Sequence, residues 1–90
     1  MRHARPEDLD AVEGLLGELR EIADLKERKR GNFTRKSKAF LHFHADPDGM
    51  FADVREGSDF VRYRVSTRNE QRSFARRVRA LVQDGRRTSS

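Results

Sequence analysis

Apolar and polar residues alternate through the middle of the chain with the period of two that is typical of a half-buried strand. This pattern covers residues 39–65. The apolar positions on one face are Leu41, Phe43, Ala52, Val54, Val61, Tyr63 and Val65. The sequence predicts four strands, Gly31–Lys36, Lys38–Ala45, Met50–Glu56 and Phe60–Ser66. We therefore expect a small antiparallel sheet with one buried face and one exposed face.

Two turn sequences separate the last three strands. Asp46–Gly49 reads DPDG, in which proline presets the turn, aspartate bonds to nearby backbone and glycine accepts a positive φ. Glu56–Asp59 closes the next hairpin. Because both connections are short, strands that follow one another in sequence are expected to be neighbours in the sheet.

Helical periodicity flanks the predicted sheet. The first helix is expected over Pro6–Ala23, where apolar residues recur every three or four positions at Leu9, Val12, Leu16, Leu19 and Ile22. The second is expected over Arg68–Gln83. It starts at a capping box of Thr67 and Glu70, and Gly85 is predicted to be its left-handed C-terminal cap.

These elements predict an α+β fold, a two-layer sandwich in the order helix, four-stranded antiparallel meander, helix. Both helices are expected on one face of the sheet. Residues 1–85 are predicted to form a single domain, and residues 86–90 a disordered basic tail. A chain of 90 residues suits one compact domain with a small core.

Composition narrows the classes of function. The absence of cysteine excludes disulfides and thiolate metal sites, and it favours a reducing cytoplasm. No apolar run approaches the ~20 residues of a membrane span, and the first ten residues lack the apolar segment of a signal peptide. We expect a cytoplasmic protein without a membrane partner, and no cofactor is indicated.

The net charge of +5 is distributed unevenly. Residues 1–25 are mostly acidic, whereas residues 26–38 carry seven basic residues against Glu27, and residues 67–90 carry seven arginines against two acids. Such blocks attract anions such as nucleic acid. The candidate anion-binding residues are Lys26, Arg28, Lys29, Arg30, Arg35, Lys36, Lys38, Arg68, Arg72, Arg76 and Arg79. The alternative is an ordinary solvated surface.

The predicted exposed face of the sheet mixes aromatic and basic side chains. It carries Phe40, His42, His44, Phe51, Asp53, Arg55, Phe60, Arg62 and Arg64. Aromatic rings that stack on bases, together with arginines that bind phosphate, are a feature of several proteins that bind single-stranded nucleic acid. The same face can instead be buried in a homodimer, or be an unremarkable surface.

His42 and His44 leave the same face of one predicted strand, roughly 6.5–7 Å apart. Two imidazoles so placed can share a metal ion. The candidate third ligands are Asp46, Asp53 and His3, since a catalytic zinc site needs three protein ligands. Alternatively, the pair stacks on Phe40, Phe51 or Arg62. An acid–base enzyme would use the same histidines with Asp46 and Asp53, but the spacing does not require one.

The segment from Glu27 to Leu81 combines Gly31 and Phe33 with a His-acid-Gly-Asp series and an aromatic-valine strand. The residues in the last two features are His44, Asp46, Gly49, Asp53, Phe60, Val61 and Val65. With these residues the segment resembles the small bacterial luciferase-like domain, a family of largely uncharacterised proteins. The resemblance implies no light-producing chemistry. The chain is also similar in predicted fold to CyaY-like YjbR/MmcQ proteins, and fold alone does not define function.

The favoured interpretation is a small basic binding module with an anionic partner such as nucleic acid. One alternative is a homodimeric interaction module that uses the His/Phe face of the sheet. The other is a small metal-binding or acid–base enzyme centred on His42 and His44.

Overall fold

The computed structural model describes residues 2–88, with side chains described as far as Gly85. In chain order the elements are β1 (Arg2–His3), α1 (Pro6–Leu9), a 3₁₀ turn (Asp10–Val12), α2 (Glu13–Arg20), β2 (Leu25–Lys29), β3 (Asn32–Arg35), β4 (Lys38–Asp46), β5 (Gly49–Glu56), β6 (Asp59–Arg64) and α3 (Arg68–Thr88). The predicted α+β architecture is confirmed. Helices at both ends of the chain enclose an antiparallel meander.

The sheet contains more strands than the four predicted. Its order is β2-β3-β4-β5-β6, and β1 pairs with the second half of β4. Sequence analysis missed β2 because LKERK alternates weakly and carries four charges. It missed β1 because two residues are too short for any period to show. The strand β1 places His3 directly beside His44.

Tight turns set the register of the last three hairpins of the sheet. In the β4–β5 turn the Asp48 amide donates to the Asp46 side chain at 2.8 Å, and Gly49 has a φ of +143°. Gly57 occupies the β5–β6 turn with a φ of +69°. Both predicted turns are therefore confirmed. The β3–β4 turn uses Lys36 and Ser37 at φ values of 53° and 68°, an unusual left-handed conformation for residues other than glycine.

The helices differ from the prediction mainly at their ends. The first predicted helix is interrupted by the 3₁₀ turn and ends at Arg20. The capping box before α3 is confirmed, because the Glu70 amide donates to the Thr67 hydroxyl and the Thr67 amide donates to the Glu70 carboxylate. No helix within residues 2–88 combines the length and apolar character needed to cross a membrane.

The Gly85 cap was predicted wrongly. Helix α3 continues to Thr88, and Gly85 has no positive φ. Gly85 instead allows the guanidinium of Arg35 to lie close to the backbone of α3, where a side chain at position 85 would collide with it. Arg35 donates to the Val82 carbonyl at 3.1 Å and so satisfies a backbone acceptor of α3. Of the predicted tail, Ser89 and Ser90 lie outside the described residues.

The core lies between the helices and one face of the sheet. Its fully buried side chains with the largest volumes are Phe33, Phe74, Leu15, Leu16, Leu19, Leu41, Val12, Val54, Val65 and Val78. The apolar side chains predicted for the buried face of the sheet are buried or half-buried, with the exception of Val61. Val61 lies on the edge strand β6 and is 37% exposed.

Phe40 was predicted on the exposed face and is buried instead. The register between β3 and β4 shifts next to it, from Phe33 opposite Leu41 to Thr34 opposite Ala39. Such a bulge lets two successive residues point to the same side. Phe40 therefore joins Leu41 in the core, close to the end of α3.

Replacing Phe43 by aspartate is expected to prevent folding, since an unpaired charge would enter the core of a small domain. Phe43 is 3% exposed. Val61→Asp is the control, because Val61 also lies in the sheet but is partly solvated. Far-UV circular dichroism should show the native spectrum for Val61→Asp and an unfolded chain for Phe43→Asp. Native spectra for both variants would refute this register of the sheet.

Gly31→Ala is expected to destabilise the protein more than Gly57→Ala. Both glycines have positive φ values, so each substitution incurs left-handed strain. At Gly31 the new Cβ would also lie 2.9 Å from a methyl group of buried Leu9, whereas at Gly57 it would meet no atom within 4 Å. We expect an extra loss of about 1–3 kcal/mol for Gly31→Ala, the usual cost of overpacking. Urea denaturation of both variants measures the difference.

Candidate functional site on the open face of the sheet

The face of the sheet that points away from the helices, which we term the open face, carries side chains in three rows across β4, β5 and β6. One row pairs Arg55 with Phe60, the next aligns His42, Asp53 and Arg62, and the third aligns His44, Phe51 and Arg64. The three rows together hold all the residues predicted on the exposed face other than Phe40.

All three histidines of the chain meet on this face. The His42 and His44 rings have centroids 4.9 Å apart, and His3 from β1 lies 4.9 Å from His44. Of the three predicted third ligands, Asp53 joins the histidine pair most closely. A ligand atom from each of His42, His44 and Asp53 lies within 4.8 Å of the other two.

Asp53 is the centre of this cluster. It is 7% exposed, and its carboxylate accepts two hydrogen bonds from Arg62, from Nε at 2.7 Å and from Nη2 at 2.9 Å. Its Oδ2 lies 3.3 Å from Nε2 of His42 and 3.0 Å from Nε2 of His44. The hydrogen bonds from Arg62 hold the pKa of Asp53 below its usual range, so the carboxylate is ionised at neutral pH.

Burial lowers the pKa of both His42 and His44, and the nearby carboxylate of Asp53 only partly opposes this effect. Both imidazoles are therefore neutral at pH 7. The pair presents nitrogen lone pairs, and it adds no positive charge to the face. His42 also packs against Phe60, with ring centroids 4.9 Å apart.

A basic cleft lies at the end of the sheet, between the β3–β4 hairpin and the last turns of α3. Its volume is about 480 Å³, and its lining includes Arg35, Lys36, Lys38, Phe40, Arg55, Leu81 and Asp84. Four basic side chains, Arg35, Lys36, Lys38 and Arg55, line it together with the carboxylate of Asp84. The cleft therefore concentrates positive charge over an apolar floor.

Arg55 connects the cleft to the open face. Its Nε donates to the Ala39 carbonyl at 2.9 Å, which fixes the side chain. Its guanidinium lies over the ring of Phe60, 4.6 Å from the centroid. Phe60 is itself 38% exposed. An extended ligand could thus pass from the cleft onto an aromatic surface without leaving the protein.

The predicted anion-binding residues separate into several groups. Lys26, Arg28 and Lys29 are exposed on the edge strand β2. Arg30 is held by Asp10 and Glu13, both at 2.8 Å. The structure therefore brings together the cations of the β3–β4 hairpin and Arg55, a residue outside the predicted anion-binding set.

The α3 arginines face a mixed environment. Arg68 and Arg72 line a groove whose opposite wall carries Asp10 and Glu18. Arg79 lies 3.6 Å from Glu18, and Arg76 contacts the Ser73 hydroxyl. The acidic wall reduces the attraction of this groove for phosphate.

The cleft could not be found from the sequence alone. It depends on the bulge that turns Phe40 inward and on the continuation of α3 past Gly85. The sequence offered one indication that Arg55 belongs to the site, which is its predicted position on the open face beside Phe60. His3 carried none beyond its residue type.

No protein-family model, no curated protein and no solved structure matches this chain. The resemblance to luciferase-like domains and to YjbR/MmcQ proteins thus remains a prediction. Any functional proposal has to start from the geometry of the open face and of the cleft.

Arg62→Gln is expected to raise the pKa of Asp53, because the hydrogen bonds from Arg62 are the main cause of its low value. A lowered carboxyl pKa stabilises the fold above the unfolded-state pKa of about 3.9, and this stabilisation is lost as the pH falls through the folded-state value. The variant should show less of this acid dependence. Carboxyl NMR titration measures the shift. Arg64→Gln, whose nearest acid is Glu70, should leave Asp53 unchanged.

Proposed function

We propose that this protein binds single-stranded nucleic acid across the basic cleft and the open face of the sheet. The observation that supports this most strongly is the position of Arg55, which lines the cleft and also stacks on exposed Phe60. A phosphate group and the neighbouring base need these two kinds of contact, a cation and a π surface.

The cleft supplies the phosphate contacts in this proposal. Lys36 and Lys38 lie on the β3–β4 hairpin, and Arg55 is held in place by the Ala39 carbonyl. The left-handed backbone at Lys36 and Ser37 is a local strain of the kind that concentrates at binding sites. The apolar floor at Phe40 and Leu81 accommodates the sugar.

The open face supplies the stacking contacts. Phe60 presents its ring next to that of His42, so two flat side chains lie side by side. Stacking on such rings tolerates any base, which makes the proposed binding weakly dependent on sequence. The cations of β2 extend the positive charge along the opposite edge of the sheet.

Binding to a single-stranded oligonucleotide should weaken linearly on a plot of log affinity against log salt, because phosphate contacts release counterions. The double variant Lys36→Gln/Lys38→Gln should reduce the slope by about 1.4, the value for two phosphate contacts on a single strand. Arg72→Gln/Arg76→Gln is the matched control and should leave the slope unchanged. A slope that falls only in this control would place the phosphates along α3 and contradict the cleft.

Phe60→Ala should lower the affinity by about 1–3 kcal/mol without changing the salt slope, because stacking releases no counterions. Val61→Ala is the control, since Val61 is nearly as exposed as Phe60 but belongs to the other face of the sheet. Fluorescence anisotropy with the same oligonucleotide measures both variants. An equal loss of affinity in the two variants would contradict the proposed stacking of bases on Phe60.

Absence of binding at ~50 mM salt, where phosphate contacts are strong, would refute the proposal as a whole. Light scattering at two protein concentrations then tests the homodimer, the competing interpretation of the same face. A concentration-dependent mass would support it.

A further inference from the structure

Three ligand atoms of different side chains converge on one point of the open face. His42 and His44 lie two residues apart on β4, and Asp53 lies directly opposite His42 on β5. Their ligand atoms all lie within 4.8 Å of one another. The hydrogen bonds of the β4–β5 pair hold the two backbones, so this convergence does not depend on a loop.

The spacing of these atoms suits coordination of a small cation. Oδ2 of Asp53 lies 3.3 Å from Nε2 of His42 and 3.0 Å from Nε2 of His44. Zinc bonds of about 2.0–2.1 Å in a tetrahedral arrangement separate neighbouring ligand atoms by about 3.3 Å. The two distances from Asp53 therefore already match this spacing, and the ligand atoms of the two histidines lie within 4.8 Å of each other.

His44 carries an unsatisfied atom at this point. Its side chain is 13% exposed, and its Nε2 is buried without a hydrogen-bond partner, even though Oδ2 of Asp53 is close. The nitrogen and the oxygen are thus near each other but misaligned for a hydrogen bond. A buried polar atom left in this state is costly, and it calls for an explanation such as a bound ion.

We propose that His42, His44 and Asp53 bind a late first-row divalent cation, with Zn²⁺ the leading candidate. Two imidazole nitrogens and one carboxylate oxygen form a ligand set that such ions prefer over Mg²⁺ or Ca²⁺. Each imidazole would bind the cation through a ring nitrogen, and Asp53 through its Oδ2. The site offers three protein ligands and leaves further coordination positions to solvent.

Arg62 completes the site as a positioning residue. It donates to both oxygens of Asp53. When Oδ2 ligates the cation, the Nε bond to Oδ1 can remain and fix the carboxylate plane, as partners of metal ligands commonly do. The nearby positive charge also means that affinity has to come chiefly from the two imidazoles.

Zn²⁺ added to the full chain should bind in a one-to-one ratio by isothermal titration calorimetry. His42→Gln and His44→Gln should each weaken binding at least about tenfold, because losing a ligand costs no less than the 10–100-fold loss that follows removal of a ligand's hydrogen-bond partner. Mg²⁺ should give no binding. Absence of Zn²⁺ binding, or affinity unchanged in either glutamine variant, would overturn the proposal.

His3→Ala is the matched histidine control. His3 is exposed and lies beside His44 but outside the three-atom group. Its loss should change the affinity by less than about twofold, since it is not a ligand in this site. A loss as large as that of His42→Gln would mean that the ion sits among the three rings, and Asp53 would then be the wrong third ligand.

A measurement on the unaltered protein guards against variants that fail to fold. The imidazole NMR signals of His42 and His44 should shift on addition of one equivalent of Zn²⁺, while Mg²⁺ leaves them in place. Unmoved signals would overturn the site even if zinc binds elsewhere. The nucleic-acid titrations are run in EDTA, so the failure of one proposal is separate from the failure of the other.

Discussion

The structure depends on the pairing register between β4 and β5. A two-residue connection, Pro47–Asp48, joins Asp46 to Gly49, and six residue pairs follow from it without a shift. The same register buries Phe43 opposite Ala52 and aligns His42 with Asp53. A slip of one residue would send the core residues to the open face and the histidines into the core. Core and candidate site are therefore specified by the same turn.

Structural features that follow from a repeating sequence pattern or a local motif could be predicted from the sequence, whereas isolated irregularities could not. Alternation over residues 39–65 identified β4, β5 and β6, and DPDG and the Thr67–Glu70 capping box are visible as local sequences. The bulge at Phe40 is one irregular step, and it cannot be deduced from neighbours that keep the period. Likewise, Gly85 satisfied the rule for a helix cap, but contact with distant Arg35 determines its role.

The candidate site was also predictable only in part. That His42 and His44 share a face follows from strand geometry alone, whereas the choice of Asp53 over Asp46 required the β4–β5 register. The position of His3 required knowledge that the N-terminal residues return to pair with β4.

Positively charged residues have different surroundings in the helical layer and in the sheet. On the helical side, Arg20, Arg30 and Arg77 each pair with carboxylates at 2.5–2.8 Å. Such exposed pairs contribute little stability individually. Their effect is to neutralise these three arginines, whereas Lys26, Arg28 and Lys29 on β2 and Lys36 and Lys38 on the β3–β4 hairpin add positive charge to the sheet. The net charge alone would not reveal this asymmetry.

The outer edge of β6 has consequences for how the protein behaves in concentrated solution. Within residues 2–88 no strand pairs with that edge, and Phe60 and Val61 are both partly exposed on it. An edge of this kind is a template for strand addition by other molecules. Arg62 and Arg64 place two positive charges within the same strand, which opposes the approach of a second copy. Both arginines therefore oppose aggregation, and Arg62 also positions Asp53, so any change that neutralises them removes a barrier to aggregation.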